Sequence, residues 1–146
     1  MAENKANSRQ EQLAEIRATY ATTPGVLKLA ALVVLIEALV LLVLTSLTIV
    51  DAFSAQARSV GMLLSMAVVL LITTYWVAYA SRGLALQRRW ARSSSIVWQL
   101  LQLAITSASF TGQFANPAIG VAIALPSVLV LVLLFLPAAI TATKDN

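Results

Sequence analysis

Residues 93–143 form a run of 51 positions without one charged side chain. As a single helix, at about 1.5 Å per residue, the run would be roughly 76 Å long, more than twice the hydrocarbon thickness of about 30 Å. It must therefore fold back. Thr111, Gly112, Gln113, Phe114, Ala115, Asn116 and Pro117 supply the turn chemistry, with Asn116 as helix N-cap and Pro117 at the first helical position. Two further apolar runs precede it. Residues 24–50 carry Lys28 near one end and Glu37 near the middle, and residues 60–81 carry no charge at all. The expected architecture is all-α, a four-transmembrane-helix bundle with spans at about 24–50, 60–81, 93–110 and 117–140. These spans make up a membrane domain at 24–143, between a polar leader at 1–23 and a tail at 144–146.

Composition agrees with a chain that has too little polar surface to clothe a water-soluble domain: 60% of its 146 residues are hydrophobic and 11% charged. It contains no cysteine and no histidine, which leaves no disulfides, no thiolate chemistry, no imidazole metal ligand and no usual general base. The net charge of +4 does not point to nucleic acid, because the basic residues flank apolar runs and are not interleaved with stacking aromatics. They fix orientation instead. Lys5, Arg9, Arg17, Lys28, Arg82, Arg88, Arg89, Arg92 and Lys144 fall on one side of the proposed spans and Arg58 alone on the other. Basic loops resist translocation, so both termini and the Arg-rich middle loop are expected in the cytoplasm of a multi-pass protein of a bacterial inner membrane. The outer loops are then 51–59 and 111–116. Trp90, Trp98, Tyr79, Phe53, Phe110 and Phe114 are placed near the interfaces, and Trp76 deeper in the bundle.

The leader reads as a short cytoplasmic helix at the interface or against a partner, with a frayed tail as the alternative. Ser8 and Glu11 form a capping-box pattern, and Leu13, Ile16 and Tyr20 recur at helical spacing. Ser54, Ala55, Gln56 and Ala57 resemble a signal-peptidase site. The apolar run before them is too long for a signal peptide and the leader too acidic, at Glu3, Glu11 and Glu15, so span one is expected to be retained.

Interior polar residues are the main functional evidence. On span three, Ser95, Gln99, Gln102, Thr106, Ser109 and Gln113 follow at intervals of three and four, which aligns them on one helix face. Ile96, Val97, Leu100, Leu101 and Ile105 fall on the other surfaces. In lipid such a polar face must meet protein or water, since unpaired amides there are costly. Glu37, near mid-membrane, costs about 2.5–3.5 kcal/mol on insertion scales unless compensated. Gln99 and Gln102 on span three, and Thr73 and Thr74 on span two, arrive at its depth. Glu37 is therefore expected to be protonated and hydrogen-bonded to Gln or Thr, or to face a cation from a partner or water. Glu37, Gln99, Gln102, Thr73, Thr74 and Thr106 form the expected polar cluster.

Gly61 with Ser65, and Gly120 with Ala124, are small-xxx-small pairs that permit close helix packing. Pro126 is expected to kink span four and Pro137 to end it. Asp51 and Arg58 would form a weak exposed pair. Arg82, Arg88, Arg89 and Arg92 are placed to meet a partner or anionic lipid headgroups. There is no phosphate loop, metal-ligand cluster, nucleophile with a base, or paired carboxylate, so no catalytic residue, metal or cofactor is expected. The two halves share no repeat of the kind that marks many transporters.

Arg88-Arg89-Trp90-Ala91-Arg92-Ser93, Val97-Trp98-Gln99-Leu100-Leu101-Gln102 and Leu35-Ile36-Glu37-Ala38-Leu39 resemble the small four-span integral membrane proteins of actinobacteria. That resemblance covers about three of the four spans and rests on short motifs. It implies a cell-envelope setting in which small polytopic proteins accompany membrane glycosyltransferases that use polyprenyl-phosphate sugars, a protein O-mannosyltransferase being one such host. The expected role is a non-catalytic accessory subunit whose partners are a larger integral membrane protein and membrane lipids. The alternative is a small transporter or channel that uses Glu37 and the polar seam. An enzyme with Glu37 or Asp51 as base is disfavoured, because Glu37 is deep and Asp51 lacks a visible catalytic partner.

Overall fold

The computed structural model describes residues 2–54, 59–110 and 116–144, with side chains from Ser8 onward, and its regular structure is helical. In chain order the elements are α1 (Ala2–Thr22), α2 (Gly25–Ala52), α3 (Val60–Ala85), α4 (Arg89–Ser107), a single 3₁₀ turn (Ala108–Phe110), α5 (Pro117–Phe135) and α6 (Pro137–Ala142). Arg58, Gln113, Phe114 and the cleavage-like residues Ala55, Gln56 and Ala57 lie outside the described residues, as do the side chains of Glu3 and Lys5.

Local chemistry sets most helix ends. Pro24, at φ −55° and ψ 143°, separates α1 from α2. Ser59 caps α3 by accepting from the Met62 amide, and Asn116 caps α5 by accepting from the Ile119 amide, with Pro117 beside it at the start of the helix. The end of α3 is a Schellman motif: the Arg88 amide donates to the Gly83 carbonyl at 2.9 Å and the Gln87 amide to the Leu84 carbonyl at 3.0 Å. Its left-handed position, φ 58°, is held by Gln87, where glycine or asparagine is usual.

Four long helices pack as a closed ring: α2 against α3, α3 against α4, α4 against α5 and α5 back against α2. The α2–α3 pair is the most extensive, and small residues are buried along both helices, Ala30, Ala31 and Ala38 on α2 and Ala67, Ala80 and Ser81 on α3. Ser81 donates to the Ala31 carbonyl at 2.8 Å, a helix-to-helix bond that only close backbones permit. Leu27, Val34, Leu84, Val130 and Leu134 fill the centre with no exposed surface. At the α3–α4 turn, Gly83 sits directly under Ala91 and Trp90, and a Cβ there would lie 2.5 Å from that of Ala91.

Three helices, α2, α3 and α5, are long and apolar enough to cross a membrane. Helix α4, at 19 residues, is long enough to be a fourth, but Arg89, Arg92 and its polar seam keep it outside that class. Its faces are sorted opposite to those of a soluble helix. Ser95, Gln99 and Thr106 are buried, whereas Val97, Leu100, Leu101 and Ile105 are each about half exposed. The same inversion runs around the molecule, with Val68, Val69 and Ile72 of α3 and Leu125 and Val132 of α5 turned outward.

Several expectations change in detail. Helix α1 already runs through Ser8, so Ser8 is an interior position and not a cap, and Leu13 and Tyr20 are half exposed. Helix α4 begins at Arg89, ahead of the expected residue 93, and ends at Ser107. The expected last span is two helices, because Pro137 holds Leu136 at ψ 142° and α5 stops at Phe135. The carbonyl of Leu134 thereby loses its intrahelical partner, and Arg92 Nε donates to it at 3.1 Å.

Candidate functional site

Halfway along α2, where its buried stripe of Leu27, Ala30, Val34 and Ala38 faces the ring interior, stands Glu37. Only 9% of it is exposed. Two successive residues of α4 reach the same carboxyl oxygen: Trp98 Nε1 donates to Glu37 Oε2 at 3.1 Å and Gln99 Nε2 at 2.9 Å. Adjacent helix positions point about 100° apart, so the long indole and amide side chains converge on one atom from two sides. Trp76 of α3 meets Trp98 edge to face, with ring centroids 6.2 Å apart, and holds the indole in place.

The hydrogen bonding of this cluster is incomplete. Glu37 Oε1 and Gln99 Oε1 are both buried acceptors without a donor, and the hydroxyls of Ser94, Ser95 and Thr106 are buried without a partner. The space beside Ser94 and Ser95, walled by Val34, Trp76, Val77 and Trp98, has no room for a water molecule. What the arrangement does is clasp α2 to α4 through one oxygen. Beyond that, Glu37 Oε1 and Gln99 Oε1 are open to a further donor, and the Ser94, Ser95 and Thr106 hydroxyls to a further partner of either kind.

The other seam residues go elsewhere. Gln102 is half-buried and accepts at Oε1 from the Ser127 hydroxyl at 2.6 Å, tying α4 to α5 one turn beyond Glu37; Ser127 also has the Ile123 carbonyl at 2.9 Å. Thr73 and Thr74 donate to carbonyls of their own helix, Val69 and Leu70, at 2.8 and 2.7 Å. Both threonines thus satisfy themselves through the preceding turn and make no bond to Glu37. Trp98, expected near an interface, is buried and is the second donor to the carboxyl. The sequence signal for this was its place directly before Gln99, which puts it beside the seam.

The packing pairs also separate. Gly61 has nothing within 4 Å of where a Cβ would stand, and Ser65 is exposed. Gly120 is buried under the Phe110 ring, which a Cβ would meet at 2.8 Å, and Ala124 is half-buried nearby on α5. Gly120 therefore admits a ring and not a neighbouring backbone.

At the opposite end from Asn116 the cations gather. Arg82, Arg88 and Arg89 are exposed and Arg92 is bound to the end of α5. The end of α1 is tied down here: Thr23 donates to the Ala85 carbonyl at 3.0 Å, and Gln87 Nε2 reaches Thr23 Oγ1 at 3.1 Å. Among the described residues no group of three or more Asp and Glu side chains is placed to hold a metal ion. No family model, curated protein or solved structure matches the chain, so the reading of the site stands on its geometry.

Proposed function

We propose that the chain is a four-span protein of the bacterial inner membrane, both termini in the cytoplasm, serving as a non-catalytic subunit of a larger polytopic enzyme. The fourth span is α4, whose inward polar and outward apolar faces suit a helix solvated by lipid. The observation that carries the subunit reading is how the polar side chains are spent. Glu37, Trp98, Gln99, Gln102 and Ser127 bond one another inside the ring, while α5 turns outward a trough of about 510 Å³ formed by Val121, Ala124, Leu125, Val128, Leu129 and Val132. These positions make one face about 16 Å long, the length over which two membrane helices pack when small residues let them approach.

The partner is a transmembrane helix of an envelope glycosyltransferase using polyprenyl-phosphate sugars, such as a protein O-mannosyltransferase; that assignment rests on the sequence resemblance. A photo-crosslinking residue at Leu125 or Val128, irradiated in the native cell, should give one discrete protein adduct, while the same residue at Val68 on α3 should give none. No adduct, or equal adducts from all three positions, removes the subunit reading. An adduct with a membrane protein of another class removes only the named host.

The transporter reading keeps one supporting observation, the two donorless oxygens of Glu37 and Gln99 with Thr106 deeper along α4. It requires ion flux in liposomes that Glu37→Gln abolishes, and flux that survives the substitution ends it.

A further inference from the structure

Between α2 and α3, on the side away from α4, a groove of about 260 Å³ opens outward near the cationic end of the ring. We infer that it is a binding site for one anionic phospholipid, whose phosphate sits between Lys28 and Arg82 and whose upper acyl chain lies against Leu32, Leu35 and Ala78.

The groove follows from side-chain size at helical spacing. Lys28, Ala31, Leu32 and Leu35 form one stripe of α2, and Ala78, Ser81, Arg82 and Ala85 one stripe of the antiparallel α3. Alanines at the line of contact bring the backbones together and leave an open channel above them, while Leu32 and Leu35, each about half exposed, form its outer wall. Leu35 lies roughly 10 Å deeper than Lys28 along the helix, and Ala78 roughly 6 Å deeper than Arg82, at 1.5 Å per residue. The channel is therefore charged at its mouth and carbon-lined below, the profile of a phospholipid seen from its headgroup.

The two cations are available to an anion. No ion pair engages Arg82 or Lys28 among the described residues, and the one partner of Lys28 is the face of the Tyr20 ring, 4.7 Å from Nζ to centroid. That contact leaves the ammonium hydrogens free to donate while holding the side chain over the groove. A basic side chain at a membrane surface raises binding of an anionic lipid about fivefold, so two acting together should give about 30-fold. A free phosphate would gain the cations but leave the apolar channel unused. The occupant is thus the lipid.

This inference rests on the membrane reading above, and the experiment separates the two. The full chain is placed in nanodiscs of phosphatidylcholine doped with phosphatidylglycerol, and retained lipids are counted by native mass spectrometry after ejection. The expected result is one retained phosphatidylglycerol in preference to phosphatidylcholine, undisplaced by millimolar inorganic phosphate. Lys28→Gln with Arg82→Gln should weaken retention by about 30-fold. Ala78→Leu, which fills the channel and leaves both cations, should weaken it as well, and Arg89→Gln, a cation outside the groove, should not. Incorporation without preference for phosphatidylglycerol overturns the site alone. Equal loss in Arg89→Gln, or displacement by inorganic phosphate, overturns it too. A chain that fails to incorporate overturns the membrane reading and the site with it.

Discussion

A carboxyl held by two N–H donors is a structural joint whose weight is best felt by removing it. Glu37→Leu leaves the Trp98 indole N–H and the Gln99 amide buried without an acceptor, at about 1–3 kcal/mol for each unsatisfied group. Thermal unfolding in detergent, followed by circular dichroism, should show a clear fall in Tm. Glu37→Gln keeps an acceptor for both donors and puts an NH₂ in place of the unpartnered Oε1, while Gln99 Oε1 is an acceptor without a donor. Its Tm should match or exceed that of the parent. If Glu37→Leu unfolds at the parent temperature, the clasp contributes nothing. Trp98→Phe removes one donor while keeping the ring against Trp76, and should cost about 1 kcal/mol. The depth of Glu37 and the proximity of Gln99 are readable from residue spacing, because both follow from counting along regular helices. Which neighbours bond it is not readable that way. Gln102 lies only three positions from Gln99 on the same face, yet it is turned toward Ser127 of α5.

Among the elements, the α3–α4 turn carries the strictest demands. Gly83 allows α4 to start directly against α3, and Gly83→Val would drive a side chain into Ala91 and Trp90. Overpacking of that kind costs about 1–3 kcal/mol or more, and a matching fall in Tm is expected. Gln87 presents two opposed effects. Its left-handed backbone costs about 1–2 kcal/mol for a non-glycine residue, while its side chain ties α1 to the turn through Thr23 and Thr19. Gln87→Gly should therefore leave Tm unchanged or raised and at the same time increase hydrogen exchange at the end of α1. Slower or equal exchange there would show that the amide does not anchor the leader. The caps at Asn116 and Pro117 and the break at Pro137 are legible in the sequence, since each acts on its immediate backbone. Gly83 is not, because its role exists only once Ala91 has come back beside it.

Among the described residues, the ring of α2 to α5 buries Glu37, Ser95, Gln99, Thr106 and Ser127, turns much of its apolar surface outward and gathers Lys28, Arg82, Arg89 and Arg92 at one end. Lipid is the solvent in which that distribution is favourable, and the proposed topology puts the cationic end in the cytoplasm. The lack of cysteine makes the test direct. Single substitutions Ser8→Cys and Lys144→Cys should react with a membrane-impermeant maleimide only after cells are opened, and Ser54→Cys should react in intact cells. Labelling of either terminus from outside would reverse the topology and with it the placement of the Lys28–Arg82 groove. At this scale the three long apolar helices and the clustering of charge are written in the composition of successive segments. The ring order is not, because an apolar stripe fits any other apolar stripe in lipid.

Residue order alone set the approximate course of the apolar helices and where several of them stop, because hydropathy, capping and proline geometry act within a few residues. Folding in three dimensions chose the partners: Trp98 with Gln99 on Glu37 in place of Thr73, Thr74 or Gln102, Phe110 over Gly120, and Arg92 on the freed carbonyl of Leu134. The physical reason is that a helix fixes the direction of its own side chains, but the rotation and offset of one helix against the next depend on how all their small and large residues interlock.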